Sequence, residues 1–91
     1  MGAVAQSIRA KLSAAFSPTR LEVEDDSARH HGHAGSRPGG ESHFNLVIES
    51  PHFEGLNRVQ RQRAVLAALA EELAGPVHAL SISARAPGEA A

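Results

Sequence analysis

Two short stretches in the first half of the chain alternate apolar and polar residues, Leu21-Glu22-Val23-Glu24 and His43-Phe44-Asn45-Leu46-Val47-Ile48-Glu49. Period-two alternation is the mark of half-buried strands. Between them lies Asp25 to Ser42, DDSARHHGHAGSRPGGES, whose Pro38-Gly39-Gly40 cannot continue a strand. Pairing is therefore expected to resume only near Ser42, which gives a hairpin with a long, open tip. A connection of this length is uncommon inside a compact domain, and is usually functional or without fixed structure. It carries His30, His31 and His33 of the chain's six histidines. Three imidazoles so close together on a Gly-flanked loop can take a soft or borderline metal. The plainer alternative is a solvated loop with adventitious zinc or nickel affinity.

The rest of the chain reads as a scaffold that holds this loop beside one more histidine, His78. Val4, Ile8, Leu12, Ala15 and Phe16 recur at helical spacing, which predicts a first helix over about 3–16. Ser17-Pro18 stops it, because a residue before proline is pushed out of the α region. Ser50 to Gly55 reads as a turn with Phe53 plugging the core. Asn57 and Gln60 form a capping box for a second helix, whose stripe is Val59, Leu66, Leu69, Ala70 and Leu73. Gln62 falls at the edge of that stripe and Glu71-Glu72 face solvent. Gly75-Pro76 ends the helix. Val77 to Ala84 is the third strand, with His78, Leu80 and Ile82 on one face and Val77, Ala79, Ser81 and Ser83 on the other. Taken alone, that parity favours a half-buried His78 satisfied by backbone. The tail from Arg85 to Glu89 shows no periodicity and is expected to fray. The order α-β-β-α-β places two helices on one face of a three-stranded sheet, an α+β fold.

Ninety-one residues with 42% hydrophobic content allow one small domain, with an ordered core over about 3–85. The chain has no cysteine, which removes disulfides, thiol catalysis and self-sufficient Cys-ligated clusters. Three Phe, with no Tyr or Trp, weigh against a base-stacking surface. A formal charge of −1 exerts no broad pull on nucleic acid or membrane. No apolar run approaches the ~20 residues of a membrane span, and the opening residues lack a signal-peptide core. A cytoplasmic protein is the expectation. No nucleophile–base pairing, paired carboxylates or phosphate loop suggests an enzyme.

The pieces IRAKLSAAFSP, LEVEDDS, GESHFNLVIES, FEGLNRVQRQR and LAEELAGPVHALSISARAP, in this order and spacing over nearly the whole chain, resemble the BolA family. The resemblance implies a class II KH-like αββαβ fold and a non-enzymatic adaptor role in iron–sulfur cluster assembly and trafficking and in iron homeostasis. Proteins of this family pair with monothiol glutaredoxins and share a [2Fe–2S] cluster with them. The glutaredoxin side supplies a cysteine and a glutathione thiolate. The BolA side supplies the histidine of the VHAL segment, here His78, and a His or Cys from the loop between the first two strands. Alignment on the DDS segment favours His30 for the loop ligand, with His33 the runner-up and His31 third. No cluster is expected to stay tightly bound to the isolated protein. The sequence departs from the family at Arg61-Gln62-Arg63, where Arg-His-Arg is common. Gln62 is a poor ligand, and any tuning by that histidine is lacking here.

Imidazole in place of thiolate raises the potential of a two-iron cluster and makes its ligation protonatable near the ordinary imidazole pKa of ~6.5. A ligand on a reshaping loop, opposite one fixed at a strand, suits transfer better than storage. Bacterial members of the family are also described as transcriptional regulators of stress and morphology. By that reading Arg58, Arg61 and Arg63, on the helix beginning at Asn57, would contact DNA. The same arginines could meet the partner protein or glutathione carboxylates instead, and at this density they usually mean only a solvated face. The Gly-x-x-Gly clamp of a KH domain is absent, since Gly55 is followed by Leu56, Asn57 and Arg58.

Overall fold

The computed structural model describes residues 2–26 and 43–89. Helix α1 spans Ala3–Phe16, strands β1 and β2 span Arg20–Asp25 and His43–Glu49, and a 3-10 turn covers Pro51–Phe53. Helices α2 (Arg58–Ala68) and α3 (Ala70–Ala74) follow, and β3 (Ala79–Arg85) closes the chain. The sheet order is β1-β2-β3, antiparallel between β1 and β2 and parallel between β2 and β3. A parallel neighbour needs a crossover, and α2 with α3 provides it.

Register carries the alternation of each strand across the whole sheet. Leu21, Ile48 and Ala84 form one row, and Val23, Leu46 and Ile82 the next. These side chains face α1 and α2, which contribute Ala5, Ile8, Leu12, Phe16, Val65 and Leu69 to a single core. Both helices thus cover one face, as the sequence predicts. On the open face the rows are polar, Glu22-Val47-Ser83 and Glu24-Asn45-Ser81, and Asn45 Nδ2 donates to Glu24 at 2.9 Å. Phe53 is fully buried with its ring centroid 5.0 Å from that of Phe16. Burial of such a side chain contributes about 1.5–3 kcal/mol.

The predicted boundaries of α1 hold. Ser17 ends it in the left-handed region at φ 45°, its N–H donating to Ser13 C=O. The Asn57–Gln60 capping box is present in both directions, at 2.8 and 2.9 Å. Other expectations need correction. The second helix breaks at Leu69, whose φ of −108° and ψ of 21° divide α2 from α3. Its buried stripe is Val65 and Leu69, with Ala64, Ala68 and Leu73 packed alongside. Val59 and Leu66 are exposed instead, as is Ala70. Glu72 does not face solvent. It is buried, accepting from Ser7 Oγ at 2.7 Å and from Lys11 Nζ at 2.8 Å. Burial works against its ionisation, but the bonds from Lys11 and Ser7 outweigh that, and its pKa falls below the ordinary carboxyl value.

The tail does not fray. Ala86 is buried, Gly88 takes φ 86° to turn the chain, and Glu89 reaches back. Its carboxylate accepts from the Ala86 N–H at 3.0 Å and from both terminal nitrogens of Arg61 at 2.6 and 2.8 Å. The tail is thereby fastened to the first turns of α2.

Candidate metal centre

The N-terminal end of the sheet is where the histidines meet. Because β3 runs parallel to β2, the two strands begin at the same end, His43 opposite Ala79. The segment from β1 to β2 leaves and returns at that end too, and Asp26 N–H donates to His43 C=O at 2.7 Å across its base. His78, just before β3, is exposed. The expectation that it shares a face with Leu80 and Ile82 fails for a local reason. Val77 donates its N–H to Glu72 C=O at 3.0 Å and drops its side chain into the core, so His78 turns outward before alternation begins at Ala79. Val77, assigned by parity to the outer face, is a core residue.

The ring of His78 stands 6.3 Å from that of His43, centroid to centroid, with the planes inclined at 35°. Strand alternation assigns His43 to the polar face of β2. It does lie on that face, but beside His78. The signal available was the helix between β2 and β3, which requires a parallel pair and so brings both strand starts together. His52, in the Pro51–Phe53 turn, is exposed and stands edge-on to Phe16 at 6.3 Å. His30, His31 and His33 lie outside the described residues.

Among the described residues no group of three or more His, Cys, Asp or Glu can hold a metal ion. His43 and His78 are the two imidazoles that come together among the described residues, and His78 is open to solvent.

The arginines lie elsewhere. Arg58 and Arg63 are exposed on α2. Arg61 is not part of a solvated face: only 14% of its side chain is accessible, and it donates to Leu56 C=O at 3.0 Å as well as to Glu89. It sits at the C-terminal end of β3, whose seven residues put it about 20 Å from the histidine end. No helix among the described residues is long and apolar enough to cross a membrane.

An αββαβ domain with a mixed three-stranded sheet is an architecture shared with known proteins. The BolA-like protein family model matches residues 12–89, and the chain belongs to the BolA family. It is 52% identical over 89 residues to BolA-like protein 1 of Homo sapiens, covering 98% of this chain and 62% of that protein. The chain thus spans under two thirds of that relative's length. The BolA domain of SufE1 from Arabidopsis thaliana superposes with a TM-score of 0.89 at 43% identity, over 99% of each chain. The Escherichia coli relative, named DNA-binding transcriptional regulator BolA, is 46% identical over 79 residues, which cover 87% of this chain and 71% of that protein.

Proposed function

We propose that this protein is a non-enzymatic adaptor that binds a monothiol glutaredoxin and shares a [2Fe–2S] cluster with it, His78 being the fixed ligand and His30 or His33 the loop ligand. The observation that carries the reading is the exposure of His78 at the sheet end from which the histidine-bearing segment departs. The two imidazoles near each other there, and the absence of cysteine from the chain, call for thiolates from a partner. Glutaredoxin and glutathione supply them in this reading. Co-expression with a monothiol glutaredoxin should yield a coloured complex, and His78→Ala should change its visible absorbance and circular dichroism. An unchanged spectrum removes His78 from the cluster.

A second reading, a DNA-binding regulator, is favoured by the name of the Escherichia coli relative and by the exposure of Arg58 and Arg63. Against it stands Arg61, engaged with Glu89. It requires specific duplex binding that weakens with salt and is lost in Arg58→Ala plus Arg63→Ala. Equal affinity for promoter and random duplexes rules it out.

A further inference from the structure

One face of α2 is left uncovered. Val59 and Leu66 are the large apolar side chains that stand exposed, at 55% and 36% accessibility. Seven residues apart, they are two helical turns, about 10 Å, from each other on the same side of the helix, with Gln62 between them. They line a shallow cavity of about 320 Å³ together with Arg58, Gln62 and Arg63. Arg58 and Gln62 also line a second cavity, of about 490 Å³, with Ile82, Ser83, Arg85 and the Arg61–Glu89 ion pair, in which the one carboxylate is already matched by its own guanidinium. The two cavities share Arg58 and Gln62 on α2, and the second reaches the C-terminal end of β3.

Charge selects the occupant. Neither Arg58 nor Arg63 meets a carboxylate among the described residues, whereas Lys11, Arg20 and Arg61 each do. Apolar side chains between unpaired guanidinium groups suit a surface that presents both hydrocarbon and carboxylates. A nucleic acid would gain nothing from Val59 and Leu66, and Phe16, Phe44 and Phe53 are all buried, so α2 offers no aromatic ring for a base to stack on.

We infer that the exposed face of α2 docks an acidic amphipathic helix of a partner protein. Apolar residues one or two turns apart on that helix meet Val59 and Leu66, and its Asp or Glu side chains meet Arg58 and Arg63, with Arg85 at the β3 end. Helices seated in grooves read spacing in this way. The end of the second cavity at Arg85 is about 20 Å along β3 from His78, so a helix there and a second protein at the histidines are compatible. The inference is independent of any cluster.

The test is an amide-shift titration of the full chain. The probe is a peptide of about 18 residues, five helical turns, with Leu on one face and Glu on the other. Its control has every Glu replaced by Lys. The acidic peptide should shift amides of residues 58–66 and 82–85, saturating near about 100 µM, a weak transient affinity. Arg58→Glu with Arg63→Glu, and separately Val59→Ser with Leu66→Ser, should each weaken it about tenfold or more. All four side chains are exposed, so unchanged far-ultraviolet circular dichroism verifies the fold. No shift, equal binding of the Lys peptide, or shifts confined elsewhere overturns the inference. Duplex DNA that occupies the same residues and survives Val59→Ser with Leu66→Ser overturns it in favour of nucleic acid. Loss of glutaredoxin binding in these variants overturns a separate docking face by merging it with the cluster-sharing surface.

Discussion

The imidazoles of His43 and His78 face each other at 6.3 Å across the start of two parallel strands, though the residues are far apart in sequence. If the proposed glutaredoxin complex forms, His43→Ala is expected to alter its visible circular dichroism while leaving the thermal midpoint of the isolated protein unchanged. Spectra identical to those of the unmodified complex would make His43 a bystander.

Acid should loosen the tail through one carboxylate. The Arg61 guanidinium first, and the Ala86 N–H second, hold Glu89 down to about 2. A depressed carboxyl stabilises the fold above its unfolded pKa, and the stabilisation is lost as pH falls from about 4.5 through about 2. Glu89→Gln should have a lower thermal midpoint than the unmodified protein near neutral pH, with the two curves converging toward pH 2. A midpoint difference that does not vary with pH would show that the latch is not ionic.

Lys11 makes two ion pairs of unequal worth. Glu71 is 88% accessible and Glu72 only 9%. Removing an exposed partner is cheap, whereas removing a buried one leaves the Ser7 hydroxyl without its acceptor and Lys11 with Glu71 alone. Glu72→Ala should cost on the order of 1–2 kcal/mol and Glu71→Ala nothing measurable. A urea series, with Lys11→Ala closing a double-mutant cycle, measures both. Equal effects would mean that the buried position adds nothing.

Phe53 is fully buried against Phe16 from a turn rather than from a regular element. Phe53→Ala should cost about 3–5 kcal/mol, a large part of the about 5–15 available to a small domain. The urea midpoint should fall with an unchanged slope. A loss below about 1 kcal/mol would show that the neighbouring side chains collapse into the space.

The fold was legible because each strand repeats one simple pattern and register preserves it. Phe44, Leu46 and Ile48 point inward as their alternation says, and Ser17 and the Asn57–Gln60 box end and begin helices by local chemistry alone. What went unread depends on contacts distant in sequence. Val65 rather than Leu66 faces the core, a choice between neighbouring sides of the helix that packing against the sheet makes. Glu72 is buried because Lys11 and Ser7 await it on α1, and Arg61 is withdrawn from its neighbours because Glu89 folds back. Strand parity misplaced Val77 and His78 because a hydrogen bond to Glu72 delays the start of β3. The exposure of His78 thus follows from the end of α3, not from the strand pattern.

The bridge from Asp26 to His43 closes the hairpin below the segment 27–42, so the sheet does not depend on what that segment contains. Each doubling of a flexible insertion costs only about 0.6 kcal/mol in closure entropy. Evolution, or an engineer, can exchange the segment wholesale and re-tailor the chemistry it carries. Phe44, Leu46 and Ile48 meanwhile keep their seats in a foundation that has no stake in the exchange.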